Sequence, residues 1–283
     1  MRKTFLICPI SLFICLVCVW LVGCTSVPGI AELNQRAEIL AKPADLRRGQ
    51  VSTDSFLLTH FSRISRPDRP LTIYIEGDGF AWRTRSQPSA DPTPHKPQAL
   101  ALASVDPAAN VVYLARPCQF TPMHANPRCL VTYWTGKRFA EEVVQAMNQA
   151  VHHFARLVPG QPIHLVGFSG GAAIAALIAA RRQDVSSFRS VAGNLDIVGF
   201  NQLHRVTPMP ESLNAIDVAP RLASLPQIHF YGSNDRIVPA NIPQRFAQAT
   251  AGHCAQVIAV TGMSHNGDWA KRWPALLAQP ARC

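Results

Sequence analysis

From Leu71 onward, short apolar runs alternate with longer stretches whose apolar positions recur every three or four residues. The runs are Leu71–Glu76, Asn110–Ala115, Ile163–Phe168, Ser190–Gly193, Gln227–Gly232 and Gln256–Thr261. They are too short for buried helices, so they predict strands buried on both faces. In Lys137–Leu157, Phe139, Val143, Val144, Met147, Val151 and Phe154 share one helical face. The Ala-rich segment Gly171–Arg182 predicts a helix whose arginines suit its C-terminal dipole. Further helices are predicted near Gln98–Ser104, Pro239–Thr250 and Trp269–Ala278, and a partial one at Ala31–Ala41. Upstream, Arg47–Ser52 and Phe56–Ile64 alternate as the two arms of a β-hairpin do.

Strands alternating with helices predict an α/β class: a mainly parallel sheet with helices on both faces. The sequence shows no internal repeat. A small lid insertion is expected at 196–224, after the sixth strand, and the segment Gln119–Tyr133 is a second candidate to overhang a site.

The first residues have a different pattern. Arg2 and Lys3 precede an almost wholly apolar stretch, Phe5–Val22, as in a secretory signal. It ends in Leu21-Val22-Gly23-Cys24, which resembles the lipobox of bacterial lipoproteins. That resemblance implies cleavage before Cys24 and acylation of its sulfur and new amine, giving a lipid anchor in the membrane. Thr25, in place of Asp, points by the same resemblance to the outer membrane, facing the periplasm. The expected organisation is a signal peptide at 1–23, a lipidated cysteine and tether at 24–44, and one domain at 45–283.

Composition is consistent with this. Of 283 residues, 48% are hydrophobic and 16% charged, enough for a large core and too little charge for a disordered chain. The formal net charge of +10 comes from scattered arginines rather than a run. No nucleic-acid motif accompanies them, so a basic surface facing an anionic envelope is expected rather than a nucleic-acid partner. Beyond Cys24 four cysteines remain, an even number suited to two disulfides in an oxidising compartment. Of the three possible pairings, Cys118–Cys129 with Cys254–Cys283 closes two local loops. None of the four forms the close pair that a zinc site uses, so no metal is expected.

The candidate chemistry starts at Gly167-Phe168-Ser169-Gly170-Gly171, a G-x-S-x-G between a predicted strand and a predicted helix. That setting is the one a nucleophile elbow needs, with the serine on a tight turn and the helix N-terminus facing a developing oxyanion. A serine hydroxyl needs a base, and His265 directly follows the last strand. The base needs an acid to orient it, and Asp235 follows the strand Gln227–Gly232. Asp196 competes for that role, its bland alternative being a helix cap. Gly170 supplies one oxyanion amide, and the loop Glu76-Gly77-Asp78-Gly79 supplies a second through Asp78 or Gly79. Arg83 or Arg236 could neutralise the acids of that loop. Phe80, Trp82, Phe120 and Trp134 are candidates for apolar walls or for core.

This ordered set resembles the α/β-hydrolase superfamily over residues 45–280. The stretch Tyr74–Gly79 with Arg116-Pro117-Cys118-Gln119 resembles a poorly characterised subset of bacterial lipoprotein serine hydrolases. The superfamily usually carries His-Gly where this chain has Glu76-Gly77. The resemblance implies an eight-stranded sheet, no cofactor, and an esterase-like serine hydrolase with a small-molecule or lipid-like acyl substrate. A monomer is expected. Two alternatives stay open: an inactive envelope binding or scaffolding lipoprotein, and an acyltransferase.

Overall fold

The computed structural model describes residues 28–283, so the signal segment and Cys24 lie outside the described residues. Eight strands form one sheet: β1 (Arg47–Ser52), β2 (Leu57–Ile64), β3 (Leu71–Ile75), β4 (Asn110–Leu114), β5 (Ile163–Phe168), β6 (Val185–Val191), β7 (Gln227–Gly232) and β8 (Ala255–Val260). Their order is β1-β2-β4-β3-β5-β6-β7-β8. The β1–β2 and β2–β4 pairs are antiparallel, and every later pair is parallel. The hairpin thus forms one edge, and the serine-bearing β5 lies inside the sheet.

Helices cover both faces, as the alternation predicted. On one face α3 (Glu141–Ala155), the longest among the described residues, and α4 (Gly170–Ala179) pack with α6 (Asn241–Ala249) against Ile73, Ile75, Leu114, Leu165 and Phe188. On the other face α1 (Ile30–Ala41), α2 (Gln98–Ala103) and α7 (Trp269–Leu277) meet Tyr74, Tyr113, Val166 and Phe230. Each strand sends alternate residues to the two layers, as its pleat requires. All ten residues of α4 are buried, and all are Gly, Ala, Ile or Leu. Their small side chains let this helix lie close to the strands.

Several segments differ from the sequence expectation. Leu33, Ala37 and Ala41 of α1 are buried on the body, so the packed chain begins near residue 30, inside the stretch expected to be tether. Strand β6 starts five residues before Ser190. Its first half, Val185-Ser186-Ser187, lacks an apolar run because Ser187 Oγ pairs with His164 Nδ1 at 2.8 Å rather than with a hydrophobic layer. The Gln119–Tyr133 segment does not overhang the site. Phe120 is fully buried in the core, and no residue of the segment lines the cavity into which Ser169 opens. Both expected disulfides are present, Cys118–Cys129 and Cys254–Cys283.

Candidate active site

Strand β5 runs into Ser169, whose backbone turns at φ +50°, ψ −121° before α4 begins. A positive φ in a residue other than Gly is strained and persists only where the surroundings hold it. Here Ser169 donates its amide to Val191 O at 3.0 Å and accepts at its own carbonyl from the Asn194 and Ala172 amides. The flanking glycines serve packing. A methyl group on Gly171 would lie 2.2 Å from Ile75 O, and one on Gly167 would lie 2.3 Å from Ala172 Cα. Both contacts are with backbone, which cannot swing aside.

The three distant candidates meet. His265 Nε2 lies 3.1 Å from Ser169 Oγ, and His265 Nδ1 lies 2.8 Å from Asp235 Oδ2. A carboxylate only accepts, so Nδ1 carries the proton and Nε2 is left to accept from the serine hydroxyl. Asp235 Oδ1 accepts from the amides of Ile237 and Val238, both at 2.8 Å, which fixes the carboxylate in its turn. The histidine loop is pinned by Trp269 Nε1, which donates to His265 O at 3.0 Å. Asp196 lies elsewhere in role. It caps α5 (Ile197–His204) by accepting from the Gly199 amide and forms an ion pair with Arg245 at 3.0 Å.

The loop after β3 closes over the elbow. A methyl group on Gly77 would come within 3.3 Å of Ser169 Cβ, and one on Gly170 would lie 2.1 Å from Asp78 Oδ1. Asp78 is therefore pressed against the start of α4. Gly79 takes φ +68° and turns the chain away towards Pro92. The Gly170 amide is the first of α4 and so has no partner within the helix. Among the described residues neither the Asp78 nor the Gly79 amide has an acceptor.

Arg83 and Arg236 do not neutralise the acids of this loop. Arg116 and Arg138 do, at 3.4 and 3.1 Å from Asp78. Both guanidinium groups also stand over the Phe139 ring, at 5.1 and 5.5 Å. Burial lowers Arg116 to about 10, which still leaves it charged at neutral pH. Arg116 further donates to Arg138 O. Gln119 donates from Nε2 to Gly77 O at 3.0 Å and accepts at Oε1 from the Arg116 amide. Sequence reasoning missed Arg138 altogether and gave Arg116 and Gln119 no role. Their signal was the polar Arg-Pro-Cys-Gln placed directly after a buried strand.

Glu76 occupies the position of the usual histidine. It is fully buried, and burial raises its carboxyl to about 7 against the helping amides of Gly77 and Ala99. The Tyr113 hydroxyl faces it and is itself raised by burial and by the Glu76 charge.

Ser169 opens into a cavity of about 1160 Å³. Its walls come from the loop 80–97, with Phe80 and Trp82, and from the lid, with Phe200 and Met209. The segment 196–224 contains α5 and a 3-10 helix at Ala215–Leu222. Phe120 and Trp134 are core residues instead.

This architecture is the α/β-hydrolase fold. A family model described as serine hydrolase (FSH1) matches residues 127–266, a span that includes the elbow, Asp235 and His265. No curated protein matches the sequence. Among solved structures, a membrane phospholipase A described as a bacterial virulence factor is 16% identical, covering 87% of this chain and 90% of that one at a TM-score of 0.54. An alpha-beta serine hydrolase homologue from Coxiella burnetii is 17% identical, over 81% of this chain and 93% of that one, at 0.52. Est1E from Butyrivibrio proteoclasticus is 12% identical, over 81% and 97%, at 0.55. At such identities the neighbours show the fold. With the family match they support a serine hydrolase.

Proposed function

We propose that the chain is a serine esterase acting through Ser169, His265 and Asp235. The observation that carries this reading is the unbroken relay from Asp235 through His265 to a serine on a strained elbow. In this reading Ser169 Oγ attacks an ester carbonyl while His265 Nε2 takes its proton. The imidazolium that forms is stabilised by Asp235. The oxyanion rests on the amides of Gly170 and Asp78, with Arg116 and Arg138 holding the Asp78 loop in place. His265 then protonates the departing alkoxide, and a water deprotonated by His265 releases the acid from the acyl-enzyme. We take an ester rather than an amide because an alkoxide leaves a tetrahedral intermediate more readily than an amine does. The test is labelling by a fluorophosphonate together with turnover across p-nitrophenyl esters of rising acyl length. Labelling lost in Ser169→Ala and turnover confined to esters support the proposal. Labelling that survives the substitution sinks it.

The same proposal keeps the lipid anchor at Cys24 and an outer-membrane location. Since the packed body begins at Ile30, the connecting segment spans no more than about 20 Å when fully extended. The body would then sit against the bilayer that holds it. Mass spectrometry of the mature N-terminal peptide tests this, and an unmodified Cys24 rejects it.

A further inference from the structure

The cavity is asymmetric in charge along its length. Of the two acids that line it, Glu76 is buried, and Asp78, against the start of α4 next to Ser169, is paired with Arg116 and Arg138. Arg83, Arg85, Lys96 and Arg205 line the same cavity from the loop 80–97 and from the end of α5. All four are exposed. Among the described residues none of them takes part in an ion pair. The basic residue at the inner end, Arg138, is by contrast matched by Asp78.

The two basic walls are tied together. Arg85 donates to His204 O at 3.4 Å, and His204 Nε2 donates to Ile237 O at 2.7 Å. This chain of contacts joins the loop 80–97, the lid helix and the turn that carries Asp235. Cations held at the mouth of a cleft with apolar walls concentrate anions there more strongly than the same charges on an open surface. Beside the reacting carbonyl the charges are already paired, Asp78 with Arg116 and Arg138, and an anion there would meet the developing oxyanion. One set back towards the mouth meets four cations.

We infer that the substrate is an amphiphilic acyl ester bearing a phosphate or carboxylate set back from the scissile bond. Its apolar part lies along Phe80, Phe200 and Met209, and its anion lies among Arg83, Arg85, Lys96 and Arg205. The inference rests on the esterase reading for the reaction itself, and the test separates the two.

The full chain in nonionic detergent is given hexanoyl esters of a neutral alcohol and of a phosphate-bearing alcohol of matched size. The expected preference in kcat/KM for the anionic ester is about thirtyfold at low salt. It falls by about threefold for each charge removed in the series Arg83→Gln, Lys96→Gln and Arg205→Gln, as an exposed charge contact allows, and it shrinks as salt rises. Binding of hexyl phosphate and hexyl glucoside to Ser169→Ala by calorimetry reads the same preference without turnover. Repeating the assay with the anionic ester as monomer and in phosphatidylcholine vesicles separates a soluble substrate from a lipid head group. Preference in either arm supports the inference. Turnover of both esters at equal kcat/KM, with equal binding of the two ligands, overturns the inference and leaves the esterase standing. Selective binding of hexyl phosphate with no turnover of any ester overturns the esterase and leaves the anion site.

Discussion

His265 Nδ1 lies 2.8 Å from Asp235 Oδ2, and the other oxygen of that carboxylate is taken up by two backbone amides. The acid has no freedom to turn away, so the tautomer of His265 is set by it. Asp235→Asn should keep the fold and lower kcat by about 10⁴-fold, because an amide can donate to Nδ1 and favour the wrong tautomer. Ser169→Ala should lower it by about 10⁵–10⁶-fold. Ester turnover beside circular dichroism checks both. A folded Asp235→Asn variant with turnover near wild type would remove the aspartate from the mechanism.

Asp78 balances two buried guanidinium groups. Asp78→Asn leaves Arg116 and Arg138 with no carboxylate, and an uncompensated buried charge costs about 3–5 kcal/mol. Urea unfolding should show a loss of that order, and turnover should fall because the loop proposed to carry the second oxyanion amide is no longer clamped. Unchanged stability would mean that water already shields the pair.

Glu76 makes stability depend on pH. Its folded carboxyl sits at about 7 and its ordinary value is 4.5, so the folded chain holds the proton more tightly than the unfolded one. The contribution is fully present below 4.5 and is lost as pH rises through 7. It amounts to no more than about 3 kcal/mol. Glu76→Gln keeps an acceptor for the Gly77 amide and removes the ionisation. Its stability should gain on the wild type between pH 4.5 and 7 and then run parallel above 7. Urea melts at pH 5, 6, 7 and 8 measure this, and parallel curves throughout would contradict it.

The disulfide Cys118–Cys129 closes a loop with a sequence separation of 11. Loop-closure entropy for that length is about 3 kcal/mol. The double substitution to serine should lower unfolding free energy by about that amount. Because the bridge is next to Gln119, which holds Gly77 O, turnover should fall as well. A variant that keeps full turnover would uncouple the bridge from the oxyanion loop.

Much of this molecule was legible from residue patterns. The strand–glycine–serine–helix order located the elbow, and the positions of Asp235 and His265 after their strands located the partners. Local rules suffice there because chain order in a parallel sheet dictates which strand ends share an edge. The ionic support of the site was not legible. Arg138 reaches Asp78 from the turn before α3, sixty positions along the chain, and no local spacing signals such a contact. Strand β6 was cut short for a related reason: its buried serines are satisfied by histidines of β5 and β7, a pairing that only the assembled sheet creates. The packing of helix α1 is not legible because its buried side is mostly alanine, too faint a stripe to announce it.

Helix α4 has no side facing solvent. Nothing polar along it can be exchanged with the surroundings, and its closeness to the strands leaves no room for bulkier residues. Ser169 is therefore seated at the least adaptable part of the protein. Any descendant that acquires a new diet must rewrite the rim formed by residues 80–97 and the lid, which can lengthen, shorten or change sign while the interior stays as it is.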